Sequence, residues 1–137
     1  MGVGTRNIDK ASAVGLEAIQ MPLGTTSVSQ TATLAYAFKP GFPFTVASVQ
    51  AWASGVTATA SADVQIGGVS VLTGPITPVA ATVTAGTLSS TKANVVGGAG
   101  DTLQLKYTTN GTGVITNGTV TVWIRPSGME GDLQIKG

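Results

Sequence analysis

A chain of 137 residues, 42 % of them hydrophobic, is long enough for one domain with a real core. Only 9 % are charged, against about 25 % in an average soluble domain, and seven basic and six acidic residues leave a net charge of +1. These charges are scattered singly, which excludes the clustered Lys/Arg footprint of a nucleic-acid binder and a polybasic membrane contact; without Cys or His, disulfides, thiolate metal sites and the commonest general base are excluded too.

The hydrophobic residues are mostly Ala and Val, and Thr is the most frequent residue of all. Thr and Val are β-branched and suit a pleated surface, whereas Glu and Lys, the usual surface helix formers, are scarce. Gly and Pro recur along the chain, 19 and 6 of them, as expected for many short strands joined by tight turns. The first residues lack the apolar stretch of a signal peptide, and no run reaches the length of a membrane span. The expectation is a protein made and used without passing through a secretion pathway.

Residues 1–24 differ from the rest, with Arg6, Asp9, Lys10 and Glu17 among them. As a strand, Val14, Leu16 and Ala18 share a face. As a helix, Gly15 and Pro22 make Ser12–Met21 short and poor. The reading adopted is an irregular arm that docks, with Leu16 and Ile19 as contact residues, on its own domain or on a neighbouring chain. From Val28 to Phe38 the alternation places Val28, Ala32, Leu34, Tyr36 and Phe38 on one face. Lys39-Pro40-Gly41 is a turn. Thr45–Ser54 is apolar on both sides, with Val46 and Trp52 on one and Val49 with three alanines on the other. That pattern belongs to a central strand or to one at a subunit interface.

Ala62–Leu72 reads as a hairpin around Gly67-Gly68, which have no Cβ to oppose φ > 0. Pro75 and Pro78 bracket an edge or loop segment, Val79, Ala81 and Val83 form a short strand, and Thr87–Val96 is strand plus loop. Gly97-Gly98-Ala99-Gly100 is a mobile or tightly turned connection. Then come the clearest strands. Leu103, Leu105 and Tyr107 alternate with polar residues, and Val120, Val122 and Ile124 alternate with Thr119, Thr121 and Trp123. Asn117-Gly118 is turn chemistry, and Pro126 ends the second run. Short strands at roughly ten-residue spacing predict an all-β fold, an antiparallel β-sandwich or jelly roll. The division is an N-terminal arm over 1–24, a sandwich over 25–126 and a polar tail over 127–137.

Little here looks like reaction chemistry. The carboxylates are Asp9, Glu17, Asp63, Asp101, Glu130 and Asp132, and their spacing selects no pair for acid–base work. Glu130-Gly131-Asp132 is the one paired acidic cluster, without EF-hand spacing, and reads as a solvated tail. The glycine run lacks the Gly-Lys-Ser/Thr signature of a phosphate cradle. Asn110-Gly111-Thr112 and Asn117-Gly118-Thr119 match a glycosylation pattern and read as turns. No catalytic residue, cofactor or metal is assigned.

Contacts with other protein are better marked. Trp123 lies on the polar face of its strand, so either that strand is buried on both sides or the indole meets a partner. Phe42 and Phe44 are either core residues at a strand entrance or interface anchors. Trp52 sits on the two-sided strand. Outward faces of Thr, Ser and Ala lack the charges that usually guard exposed edges, which suits a subunit of a permanent assembly.

The stretch Ala62–Leu72, and Asp101–Gly113 followed by Thr119–Pro126, resemble segments of small virion structural proteins of tailed bacteriophages, of the capsid cement, decoration or head-fibre type. The resemblance covers residues 45 to 126 and lies in pattern and composition. It implies a sandwich or jelly-roll subunit on the capsid exterior, a homotrimer whose extended terminus clasps the major capsid protein. It carries no catalytic residues. The expected function is a cement protein that stabilises the assembled shell, with Trp123, Phe42, Phe44, Trp52, Leu16 and Ile19 as interface residues. The alternative is a carbohydrate- or receptor-binding module of a tail or head fibre, using the loop Thr108–Thr116 with Asn110 and Asn117.

Overall fold

A computed structural model describes residues 15–127. The first fourteen residues of the expected arm, and the tail from 128 with Glu130-Gly131-Asp132, lie outside the described residues. The rest is an antiparallel β-sandwich. The strands are β1 (Glu17–Gly24), β2 (Gln30–Phe38), β3 (Phe44–Trp52), β4 (Gly55–Ile66), β5 (Val69–Ser70), β6 (Thr84–Ala85), β7 (Val96–Gly97), β8 (Leu103–Thr116) and β9 (Gly118–Pro126). A single 3₁₀ turn, Lys92–Val95, precedes β7. The first sheet runs β1-β9-β3, with β6 and β7 sharing the far edge of β3; the second runs β2-β8-β4-β5.

The core lies between the sheets. Met21, Phe44, Val46, Val49, Ala51, Val120, Val122 and Ile124 come from the first sheet. Ala62, Val64, Leu103, Leu105 and Ile115 meet them from the second, and Val71, Leu72 and Ile76 close one end. Every second residue of β9 is buried, the pattern that its alternation predicts.

Residues 17–24 belong to this sandwich and not to an irregular arm. β1 pairs with β9 from Glu17 opposite Ile124 to Gly24 opposite Gly118. Helix-breaking Gly15 and Pro22 are no obstacle at a sheet edge. Ile19 consequently packs against the core, while Leu16, just before the strand, stays 44 % exposed.

Bulges decide which side chains face inward. In β3 the register shifts between Val46 and Ser48, so Val46 and Val49 both point into the core. This resolves the two-sided pattern: β3 is central, flanked by β9 and by β6 and β7, and Trp52 is left outside. In β2 a shift between Leu34 and Tyr36 breaks the expected five-residue face. Leu34 stands beside Lys106 on the outer face, 51 % exposed, whereas Tyr36 packs against the core beside Leu105.

The two clearest strands are consecutive but do not pair. β8 belongs to the second sheet and β9 to the first, and Asn117, at φ 50°, turns the chain from one layer to the other. The expected Thr/Asn/Gly loop is itself strand: β8 runs on to Thr116, with its register against β4 shifting between Thr57 and Thr59. Two buried threonines hold the β1–β2 connection to β8. Thr26 N–H donates to the Ile115 carbonyl at 2.9 Å, and Ile115 N–H donates to Thr26 Oγ1 at 2.9 Å. Thr109 Oγ1 donates to the Ser27 carbonyl at 2.8 Å and accepts from Gln30 N–H at 3.0 Å.

The β4–β5 hairpin forms as expected. Ile66 faces Val69 across Gly67 (φ 59°) and Gly68 (φ 85°), the two positive φ values of a type I′ turn. The Val79–Val83 strand does not form. Pro75 and Pro78 withhold donors, Ala81 adopts φ 53°, and only isolated bridges such as Ala53 to Ala80 remain. The glycine run before β8 is tight: Gly98 N–H donates to Asp101 Oδ2 at 2.7 Å, and Asp101 N–H donates to the Gly98 carbonyl at 3.0 Å.

Candidate functional site

The three described carboxylates lie apart. Glu17 opens β1, Asp101 caps its own turn, and Asp63 sits on the outer face of the second sheet. Asp63 accepts from Ser70 Oγ at 2.6 Å and from Gln65 Nε2 at 3.1 Å, and it stands across from Lys106 in the β4–β8 register. Among the described residues no three acidic side chains gather where they would hold a metal ion. Nor is any helix there long and apolar enough to cross a membrane.

The expected interface residues separate into two groups. Phe44 is completely buried, the edge of its ring against Gly97, and so is a core residue that no partner reaches; this corrects its reading as an anchor. Phe42 and Ile19 are half-buried against the same core. Trp52, Trp123 and Leu16 remain on the surface. Trp52 is 40 % exposed and Trp123 is half-buried on the same outer face. Among the described residues β9 is covered on one side only, and Trp123 stands on the other.

The registers give that outer face its layout. One row runs Ala18, Trp123, Ser48 across β1, β9 and β3; the next runs Gln20, Thr121, Gln50; the third runs Pro22, Thr119, Trp52. None of these residues carries a charge. Gln20, Gln50, Thr119, Thr121, Trp52 and Val83 line a depression of about 240 Å³, with buried Ala51 beneath. Sequence reading found both tryptophans but not the two glutamines between them, since nothing in the linear pattern says that β1 and β3 flank β9.

A second surface feature is the side of the sandwich where both sheets end. Among the described residues β1 and β2 are the edge strands on this side, and they pack across the sandwich onto each other. β2 contains no charged residue and leaves Leu34 and Phe38 exposed, and β1 carries only Glu17. Sequence reading saw the lack of guarding charge but could not tell that these two strands are neighbours.

No family model and no curated protein matches this chain. Among solved structures, dimeric latent PorU from Porphyromonas gingivalis aligns over 82 % of this chain and 10 % of its own, at 12 % identity and a TM-score of 0.26. The chain thus spans about a tenth of that protein, and a likeness of this size carries no argument about fold or activity.

Proposed function

We propose that this chain is a decoration or cement subunit of a tailed-phage virion, a non-catalytic sandwich that binds the outside of the assembled shell and stabilises it. The observation that supports the reading is the β1/β2 side. A nine-residue edge strand without a charge, with Leu34 51 % and Phe38 36 % exposed, is an edge that free monomers normally protect. In a permanent assembly it is covered. The bulges of β2 prevent continuous strand addition, so the contact there is side-chain packing rather than an extension of the sheet.

The role is mass action. A clamp that binds the assembled shell and not its separate subunits lowers the free energy of the shell by its own binding free energy. A homotrimer engaging three capsid subunits at once gains further through effective concentration, without exceptional contacts at any one site. The chain should therefore co-sediment with mature heads, raise their heat resistance, and leave isolated major capsid protein unbound. Equal binding to shell and isolated subunit, or binding to neither, would remove the clamp.

A further inference from the structure

We infer that the outer face of the β1-β9-β3 sheet binds a neutral saccharide, a chain of equatorially linked pyranose rings laid between Trp52 and Trp123. The inference goes beyond shell docking and uses a different surface from the β1/β2 edge.

Four observations carry it. The two indoles are the only tryptophans in the chain, and both stand on this face. Their backbone positions are four residues apart along the strands, about 13 Å, and one strand apart sideways, about 4.8 Å. Between and beside them lie Gln20, Thr121, Gln50 and Thr119, whose side chains make no hydrogen bond to other described residues. Finally, the three rows are free of charge, and Trp52 and Val83 wall a depression of about 240 Å³, just below the usual span of ligand clefts, about 300–1,000 Å³.

Each part matches sugar chemistry. Amides and hydroxyls both donate and accept, as ring hydroxyls do, so uncommitted Gln and Thr side chains pair with either polarity. An indole face bears partial negative charge and attracts the slightly positive C–H bonds that line the flat face of an equatorially substituted ring. The three rows that hold the indoles offer an acidic or basic polymer no salt-bridge partner, and Arg125, on the same side of β9, lies a row beyond Trp123. The size of the depression suits one ring, with the adjoining rings reaching along β9 toward Trp123.

Cellohexaose and chitohexaose are titrated into the full chain while tryptophan emission is followed. At least one should shift the emission with a Kd between about 10 μM and 1 mM, the range open to a small cleft with few contacts. Trp52→Ala and Gln50→Ala should each weaken that binding at least about tenfold, as truncation of an interface anchor does, with the circular dichroism spectrum unchanged. Failure of both sugars to move either indole overturns the inference, and so does unchanged affinity in Trp52→Ala. If Trp52→Ala instead converts an oligomer to a monomer and no sugar responds, the face is a protein contact and the inference falls. Shell binding is measured separately, by co-sedimentation, so loss of one property does not decide the other.

Discussion

Gly97 and Phe44 meet at the tightest point of the core. A Cβ on Gly97 would overlap the Phe44 ring edge, reaching Cζ and lying 2.6 Å from Cε1, well inside contact distance. Gly97→Ala should therefore destabilise the chain by about 1–3 kcal/mol, the range for overpacking a filled core, read as a lowered urea midpoint. Phe44→Leu in the Gly97→Ala background should cost less than in the parent chain, because the smaller side chain yields the space that the new methyl needs. Equal costs in both backgrounds would remove the steric account. Ala58 offers the opposite case. It holds φ 50° on exposed β4, at the bulge against β8, where an L-residue is disfavoured by about 1–2 kcal/mol and glycine is not. Ala58→Gly should raise stability by about 0.5–1 kcal/mol once the extra freedom of glycine in the unfolded chain is subtracted, as seen in the same denaturation curve. Neither position is marked in the sequence. Gly97 stands in a run of glycines, and an alanine gives no sign of a left-handed backbone.

At the scale of elements, two bulges determine what the outside world meets. The β3 bulge lets one strand place Val46 and Val49 on the same side, and the β2 bulge sends Leu34 outward while Tyr36 goes in. Alternation along a strand can be counted from residues, but an inserted residue reverses every position after it. The expected face of β2 failed for that reason. The expected β4–β5 hairpin held because Gly67-Gly68 fixes the register locally. Leu34 lies on an outer face opposite Lys106, so Leu34→Glu, which puts no like charge beside that lysine, should change folding stability by less than about 1 kcal/mol. It should at the same time abolish self-association if the β1/β2 side is an interface. Light scattering reads the result: the parent at three times the 13.6 kDa of one chain, the variant at a single chain. A parent already monomeric, or a variant as large as the parent, would count against that side as the contact.

For the whole molecule, the strand order makes folding depend on contacts between distant parts of the chain. Glu17 faces Ile124, and β2 pairs with β8. Domains built of such non-local pairings fold in about milliseconds to seconds, so stopped-flow tryptophan emission should recover on that scale and not in microseconds. The scarcity of charge gives a second expectation. With 9 % charged residues and a net charge of +1, shell binding should change by no more than about threefold between low and high salt, since little Coulomb attraction is present to be screened. A steep salt dependence measured by co-sedimentation would overturn this and point to a contact made through the few charged residues, such as Arg125 or Lys106.

The sequence by itself determined that this is an all-β chain. β-Branched residues, period-2 runs and Gly, Asn and Pro turns are local properties, and local chemistry is enough to place β5, β9, the end of β4 and the start of β8. It also determined the uncharged surface, which is composition alone. Only the tertiary structure decided that β8 and β9 lie in different sheets, that residues 17–24 are an edge strand, that Phe44 is sealed in the core, and that Trp52 and Trp123 share a face with Gln20 and Gln50. The physical reason is that a period of two says which residues share a side of a strand, while the identity of the neighbouring strand is set by hydrogen bonds and packing between segments up to about a hundred residues apart. The proposed saccharide face is made of three strands from opposite ends of the chain, so it exists only once the sheet has formed.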